Sequence, residues 1–409
     1  GSVSQAAAAD AIWGRSRIGG KLPIKLSEMI KKGNGINRDR FKSGFIINDT
    51  PIDMGSAWSI IEEAISNQIF PGAQVFVSKD KRIIASRGFG KETYSYESDK
   101  ITDKSIYDIA SITKILSVTP IAMKLIKQKR LSLNQTVGQF FPEYSNDDIK
   151  DITISHLLSH SSGLKPFVEY FKDPAMTSKE KILIDVLSQD LDFEPGTAYQ
   201  YSDLGMIVMM GIIEKVTGRD LDEISTRYFY KPLGMQSTTY NPSNLLINNI
   251  VPTEYDRHLR DRLVHGEVHD ENAWVMGGVS GHAGVFSTSG DIAIMMQMLN
   301  NGGIWLGRRY FDVESIDKFT ERQDQYFETD RGLGFDKPST SGKSSAGDYL
   351  SENSFGHLGF TGTSVWSDPD SDIIIVLLTN RVHPSRERGG IYKVRRDFHN
   401  EVSSLLIGE

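Results

Sequence analysis

Ser111-Ile112-Thr113-Lys114 decides the fold of this chain, because it stands directly before a run of apolar residues with helical spacing. A spacing of three places Ser111 and Lys114 on the same face of a helix, one turn apart. A serine hydroxyl is a poor nucleophile until another group takes its proton, and a lysine one turn away can assist that step. The same residues also fit an ordinary helix start, with Ser111 as the N-cap and Lys114 in solvent.

Two further motifs favour catalysis over that alternative. Tyr201-Ser202-Asp203 lies before a second apolar helix that ends at Gly218, and His357-Leu358-Gly359 lies before a β-rich segment. The order Ser-x-x-Lys, Tyr-x-Asp, His-x-Gly resembles that of the serine β-lactamase and penicillin-binding-protein superfamily. The resemblance covers about residues 43–409 and includes the stretches 107–110, 152–164, 231–235 and 356–363.

This resemblance implies an α/β (α+β) fold of the β-lactamase/transpeptidase type, with a cleft between two lobes. An antiparallel sheet flanked by helices forms one lobe, over about residues 43–104 and 286–409, and an all-α lobe spans about 105–285. Local sequence patterns add further expectations. Pro120 predicts a bend in the helix after Ser111. The patterns also predict helices at 54–67, 290–300 and 391–406, and strands at 73–78, 82–87, 364–366 and 373–378.

Residues 1–42 differ in composition from the rest of the chain. An alanine run at 6–9 leads to Gly19-Gly20-Lys21-Leu22-Pro23-Ile24. This stretch is similar to the C-terminal end of the second domain of family-3 glycoside hydrolases. We therefore expect a remnant of such a domain, and a glycoside hydrolase partner at the N-terminal side of a longer fusion. A simple tail or linker is the alternative.

Composition narrows the possible partners. The 409 residues carry a net charge of −7 and show no basic stripe, which argues against nucleic acid. No apolar run reaches the roughly 18 residues that a membrane span needs. The chain has no cysteine, and His265 and His269 lack a third clear ligand, so we expect neither a metal nor a cofactor.

The motifs assign chemical roles to individual residues. Ser111 is the predicted nucleophile, and its backbone N–H can face a developing oxyanion. The resemblance implies that the backbone N–H of Phe360 is the second oxyanion donor. Lys114 and Tyr201 are expected to share the proton transfers, with Tyr201 relaying the proton to the leaving group.

Three positions depart from the usual superfamily pattern. Asp203 replaces Asn, and a carboxylate there should raise the pKa of Lys114, leaving Tyr201 phenolate as the base. Asp203 can equally be a plain ion-pair partner or the cap of the following helix. His357 replaces Lys, and Leu358 replaces a Thr whose hydroxyl binds a substrate carboxylate in relatives. This loss argues against β-lactam and D-Ala-D-Ala substrates unless Thr361 or Thr363 supplies the hydroxyl.

The segment 252–284 is unusually rich in Gly, His, Asp and Asn. It resembles the superfamily branch that contains exported N-acetylmuramyl-L-alanine amidases. The predicted substrate-binding residues come from two places. His269, Asp270, Asn272 and His282 belong to this segment, and Gly359 and Thr361 belong to the stretch that begins at His357. A structured loop whose polar groups cap one another is the alternative. We assign structural roles to His156 and His160.

The predicted function is that of a serine hydrolase with an acyl-enzyme, cleaving the bond between a muramyl lactyl group and L-alanine in peptidoglycan turnover. Such a substrate implies export to the periplasm or cell surface. One alternative is an esterase, D-aminopeptidase, carboxypeptidase or weak β-lactamase of the same fold. Another is a non-catalytic muropeptide-binding module, although neither the nucleophile nor the lysine is missing.

Overall fold

The computed structural model describes residues 44–48, 52–323, 328–340, 342 and 344–407, together with two short paired strands, Ile18–Gly19 and Asn37–Arg38. Apart from these two strands, the expected remnant over 1–42 lies outside the described residues.

A six-stranded sheet forms the centre of the α/β lobe. Its strands pair antiparallel, except for the parallel pair formed by the edge strand Ile46–Ile47. Asp80 and Lys81, with φ of 50° and 64°, close the tight hairpin between its two longest strands. The order across the sheet is Phe355–Leu358, Ser364–Asp368, Ile373–Thr379, Gly72–Lys79, Arg82–Gly90 and Ile46–Ile47.

Helices cover both faces of this sheet. The strand Ile373–Thr379 is buried throughout, and its alternate residues belong to two different cores. Gly55–Ser66 and Ile391–Ile407 pack on one face, and Ser289–Asn300 packs on the other. The strands and helices predicted from periodicity are all present, within three residues of their expected ends.

The second lobe is mainly helical and also contains two small sheets. Tyr107–Asp108, Val285–Ser287 and Thr239–Tyr240 form one, and Tyr255–Asp256 pairs with Arg262–Leu263 in the other. The helices of this lobe are Thr119–Lys127, Val137–Phe140, Ile154–Leu158, Lys179–Val186, Asp203–Thr217, Leu221–Ser225, Lys231–Leu233 and Glu271–Val275. The α/β lobe adds a short hairpin, Ile304–Trp305 with Arg308–Arg309, and the helix Val313–Thr320.

The helix after Ser111 is divided into three segments. Ala110–Ile112 is a 3₁₀ turn, Lys114–Val118 is a π-helical turn, and a regular α-helix begins only at Thr119. Pro120 stands in the first turn of that α-helix, where its missing N–H costs nothing. The predicted disturbance at Pro120 is therefore a wide turn that carries Lys114, and π-turns of this kind are frequent at functional sites.

No helix within the described ranges has the length and apolar character needed to cross a lipid bilayer.

Candidate active site

Ser111 lies in the 3₁₀ turn and is held by the residues before it. Ala110 adopts a left-handed φ of 47°, and its N–H donates to Asp108 Oδ1 at 2.8 Å. The N–H of Ile112 donates to the carbonyl of Ile109, so the turn leaves the N–H of Ser111 at its open end. The strained backbone at Ala110 thus sets the direction of the adjacent serine.

Lys114 is fully buried, and its ammonium group has three close acceptors. Nζ donates to Ser111 Oγ at 2.7 Å and to the carbonyl of His282 at 3.1 Å. It also forms an ion pair with Asp203 Oδ1 at 2.8 Å. The Tyr201 ring is a further neighbour, with its centre 4.8 Å from Lys114 Nζ.

The charge state of Lys114 follows from these neighbours. Burial disfavours the ammonium form, but the charges and hydrogen bonds of Asp203 and Tyr201 outweigh it, so the pKa of Lys114 is raised. This direction agrees with the one predicted from the Asn-to-Asp replacement. The helix cap is a different residue, because Ser202 Oγ accepts the N–H of Gly205 at 3.2 Å.

Tyr201 lies between two cations and two neutral histidines. Lys114 Nζ is 4.8 Å and the Arg331 guanidinium 5.1 Å from its ring centre. The ring centres of His160 and His357 are 4.5 and 6.1 Å away. Burial and the neighbouring cations hold the pKa of both histidines well below the ordinary value, so they add no charge. The two cations beside Tyr201 are therefore Lys114 and Arg331, and each is paired with a carboxylate, Asp203 and Asp336 respectively.

The turn at Gly359 to Thr363 is tied to the strand that leads into Ser111. The Thr361 hydroxyl donates to the carbonyl of Asp108 at 2.8 Å, and the Thr363 hydroxyl to that of Ile109 at 3.1 Å. A Cβ at Gly359 would lie 2.5 Å from the carbonyl oxygen of Ile109, so this approach requires glycine. Among the described residues, the Phe360 N–H has no hydrogen-bond partner, and it is available as an oxyanion donor.

One cleft of about 610 Å³ brings together most of the predicted residues. Residues from all three motifs and from the 252–284 segment line it: Ser111, Tyr201, Asp203, His357, Gly359, Phe360, His269 and Asp270. It also contains residues that the sequence did not indicate: Arg331, Asp336, Arg381, Arg386 and Arg395.

Three predicted substrate-binding residues, Thr361, Asn272 and His282, lie outside the cleft lining. Both ends of the Asn272 amide are bonded to the backbone of Val168 and Phe171. The His282 ring is buried between Asp270, at 2.9 Å, and Ser280, at 2.7 Å. The Thr361 hydroxyl is committed to Asp108. Each of these side chains is therefore bonded within the protein.

The 252–284 segment builds a polar wall of the cleft. His269 Nε2 lies 2.8 Å from Glu254 Oε2, and Arg386 bonds both Glu254 and Glu271. Asp270 and His282 form a buried pair. Burial disfavours the Asp270 carboxylate, but the adjacent His282 imidazolium holds the pKa of Asp270 well below the ordinary value. Burial likewise disfavours the His282 imidazolium, but the Asp270 carboxylate raises the pKa of His282. Glu254 and Arg386 carry no motif of their own in a single sequence, so spacing could not identify them.

Comparison with known proteins gives consistent matches. The beta-lactamase family model matches residues 59–399. An N-acetylmuramyl-L-alanine amidase of Bacillus subtilis strain 168 is 34% identical over 349 residues, which cover 77% of this chain and 78% of the amidase. A protein of Escherichia coli K12, provisionally named D-alanyl-D-alanine carboxypeptidase, is 32% identical over 356 residues, 78% of this chain and 81% of that protein.

Solved structures agree on the fold. A penicillin-binding-protein homologue from Caulobacter crescentus has a TM-score of 0.69 at 17% identity, and covers 88% of this chain and 99% of that chain. These similarities give no support to a glycoside hydrolase remnant at 1–42, which stays a prediction from the sequence alone.

Proposed function

Because the chain belongs to the beta-lactamase family and is a serine hydrolase of that fold, we propose that it is an amidase acting on cell-wall muropeptides. The bond cleaved is the amide between the lactyl group of a muramyl sugar and L-alanine. The observation that carries this proposal is the 34% identity with the Bacillus subtilis amidase over most of both chains. The polar wall at His269 and Asp270 offers hydrogen-bonding groups suited to a sugar or peptide beside Ser111.

The proposed reaction begins with attack of Ser111 Oγ on the lactyl carbonyl carbon. Lys114 already donates to Ser111 Oγ and is held as an ammonium by Asp203, so it is a poor proton acceptor. Tyr201, beside the Lys114 and Arg331 cations, accepts the serine proton and passes it to the amine of L-alanine as the C–N bond breaks. The backbone N–H groups of Ser111 and Phe360 stabilise the oxyanion. Water then hydrolyses the acyl-enzyme by the reverse proton route.

A second candidate is a D-alanyl-D-alanine carboxypeptidase, which the Escherichia coli relative favours by name. It uses the same nucleophile and differs in the bond cleaved. For either substrate, we propose export to the compartment that contains peptidoglycan fragments.

The test is product analysis with purified protein on muramyl-L-alanine, a D-Ala-D-Ala peptide, nitrocefin and p-nitrophenyl acetate in parallel. We expect release of L-alanine from the muramyl substrate at the highest kcat/KM. Ser111→Ala should abolish this release, whereas Ser188→Ala, which changes an exposed serine outside the cleft, serves as the matched control. Cleavage of the D-Ala-D-Ala peptide without release of L-alanine would replace the amidase by the carboxypeptidase.

A further inference from the structure

His269 is fixed in the cleft by its backbone, its ring face and one of its two ring nitrogens. Its N–H donates to Asp108 Oδ2 at 2.6 Å, and its carbonyl accepts from Arg260 Nη2 at 2.6 Å. The imidazole stacks on the Phe360 ring, with the ring centres 5.7 Å apart. Nε2 lies 2.8 Å from Glu254 Oε2, whereas Nδ1 has no hydrogen bond to a described residue. Because the side chain lines the cleft, Nδ1 is the polar atom of His269 that is left for a ligand.

Glu254 determines which ring nitrogen of His269 carries the proton. Its buried carboxylate accepts the backbone N–H of Arg386 at 2.8 Å and Arg386 Nε at 2.7 Å. Burial disfavours this carboxylate, but the bonds from His269 and Arg386 lower the pKa of Glu254. Since a carboxylate can only accept, His269 Nε2 must carry a proton and donate it. In the neutral imidazole, Nδ1 is then a hydrogen-bond acceptor.

Asp270 places a second acceptor beside the first. Its Oδ1 accepts the N–H of Ala273 at 2.8 Å and lies 2.9 Å from His282 Nε2. Its Oδ2 has no hydrogen bond to a described residue, and the side chain, 23% exposed, lines the same cleft. Two consecutive residues therefore offer the cleft a ring nitrogen and a carboxylate oxygen, and both of these atoms accept hydrogen bonds.

The carboxylates of this wall already have cationic partners within the protein. Asp270 is paired with His282, and Arg386 is paired with both Glu254 and Glu271. A ligand ammonium would therefore have to compete with cations that are already in place. A neutral hydroxyl or amide N–H can donate to Nδ1 and Oδ2 without bringing a further charge into the cleft. The pairing thus favours neutral donors over a cation at this wall.

We propose that His269 Nδ1 and Asp270 Oδ2 together recognise a neutral, hydroxylated part of the substrate through its O–H and amide N–H groups. For a muramyl substrate, an identity that rests on the proposed function, this part is the N-acetylated sugar ring. A ligand without donors at this position leaves both acceptors unpaired, which weakens its binding. His269 and Asp270 are thus specificity-determining residues for the sugar.

The test compares muramyl-L-alanine with (R)-2-methoxypropanoyl-L-alanine, which keeps the scissile amide and the ether oxygen but lacks the sugar. For the wild-type protein we expect kcat/KM to be about 10- to 100-fold higher for the muramyl substrate, since two hydrogen bonds are lost without the sugar. A wild-type ratio near one overturns the proposed recognition.

Two substitutions of His269 separate the ligand contact from a structural role. Glutamine can donate to Glu254 from the position of Nε2 but has no acceptor at that of Nδ1, so His269→Gln should lower the ratio at least about fivefold. Asparagine can place its amide oxygen near the position of Nδ1, so His269→Asn should keep most of the ratio. If His269 acted only through its bond to Glu254, the order would be reversed, with Gln retaining the ratio and Asn losing it.

Asp270→Asn tests the second acceptor. The Ala273 N–H and His282 both require an oxygen at the position of Oδ1, so the amide nitrogen takes the place of Oδ2 and presents a donor. We expect the ratio to fall at least about fivefold. His265→Gln is the matched control in the same segment, because His265 Nε2 lies 2.7 Å from the Ile250 carbonyl and its side chain does not line the cleft. Its ratio should equal that of the wild type.

A separate measurement does not require amidase activity. It compares inhibition of p-nitrophenyl acetate hydrolysis by N-acetylmuramic acid and by (R)-2-methoxypropanoic acid, which share the carboxyl group and differ in the sugar. We expect N-acetylmuramic acid to inhibit at least about tenfold more strongly, and this selectivity to fall in His269→Gln. If the muramyl amide is not cleaved but the selectivity holds, the proposed amidase fails and the sugar recognition stands. Cleavage of the amide with the wild-type ratio and selectivity in both His269→Gln and Asp270→Asn contradicts the sugar recognition alone.

Discussion

Buried cations at the two ends of the cleft differ in whether a carboxylate is their partner. At the Ser111 end, Lys114 is buried against Asp203, and His282 against Asp270. At the Phe360 end, Arg381 and Arg395 are bonded to carbonyl oxygens without a carboxylate contact from the described residues. The first arrangement fixes the protonation state of groups close to the nucleophile. The second leaves a positive potential that a ligand can satisfy.

The pKa values show the same contrast. The partners of Lys114 raise its pKa despite complete burial, whereas burial lowers the pKa of Arg395 to about 9. A buried cation with a carboxylate partner keeps its charge and has a constant geometry. A buried cation without one would gain most from a bound anion.

The largest expected effect tests whether the reaction takes place at the Ser111 end of the cleft, where Lys114 and His282 have carboxylate partners (the paired end). Ser111→Ala removes the proposed nucleophile, and we expect kcat to fall by at least about three orders of magnitude. The melting temperature should change little, because the hydroxyl faces the cleft and Lys114 retains Asp203 and the His282 carbonyl as partners. Near-normal turnover in a protein with unchanged melting would exclude Ser111 as the nucleophile.

The next effect tests the pairing itself. Asp203→Asn removes the carboxylate that raises the pKa of Lys114, so the ammonium form should be lost at a lower pH than in the wild type. We expect the alkaline limb of the kcat/KM profile to move to lower pH, and the maximum to fall about 10- to 100-fold. Glu169→Gln, which removes an exposed pair with Lys172, is the control. An unmoved alkaline limb would show that Lys114 acts independently of Asp203.

Much of the paired end was predictable from the sequence. Ser111, Lys114, Tyr201 and Asp203 occur in two short motifs at helix starts, and the spacing of three places Ser111 and Lys114 on one face. The apolar strands and amphipathic helices were equally clear, because their burial is periodic. The structure then shows that these separate motifs line one cleft with His357 and Phe360.

The arrangement at the Phe360 end, where Arg381 and Arg395 have no carboxylate partner among the described residues (the unpaired end), could not be predicted from the sequence, and the reason is physical. Arg381 and Arg395 meet because a loop and the last helix pack against the same turn, and no local spacing encodes that packing. Asn272 and His282 show the converse case, since their residue types suit ligand binding and their partners in the structure are internal. The residue type indicates which groups a side chain can bond, and only the fold indicates which of those groups lie close enough to bond it.

The third effect concerns stability rather than turnover. The pKa of His282 is raised, so its pairing stabilises the fold fully below about pH 6.5 and less as pH rises through the raised value. The pKa of Asp270 is depressed, so its contribution is present above about pH 4 and is lost on acidification. We expect Asp270→Asn to lower the free energy of unfolding by about 1–3 kcal/mol between these values, and by less once the pH exceeds the raised pKa of His282.

Urea unfolding of wild type and Asp270→Asn at pH 5.5 and at a pH above the raised pKa of His282, located by titrating that imidazole, measures this difference. Asp147→Asn, which removes an exposed partner of Lys150, controls for a general change in net charge. A loss of equal size at both pH values would mean that Asp270 and His282 interact as neutral hydrogen-bonding groups.

The smallest expected effect is a gain in kcat/KM from a substitution at the Phe360 end of the cleft. Leu358→Thr places a hydroxyl on the strand beside Phe360, where it can add one neutral hydrogen bond to a substrate carboxylate. Such a bond contributes about 1 kcal/mol, or roughly fivefold in kcat/KM. Leu358→Val is the matched control, because valine has nearly the same shape as threonine and no hydroxyl. We expect Thr to exceed Val on muramyl-L-alanine and to equal it on muramyl-L-alaninamide, which lacks the carboxylate. Equal activity of Thr and Val on both substrates would place the bound carboxylate beyond the reach of residue 358.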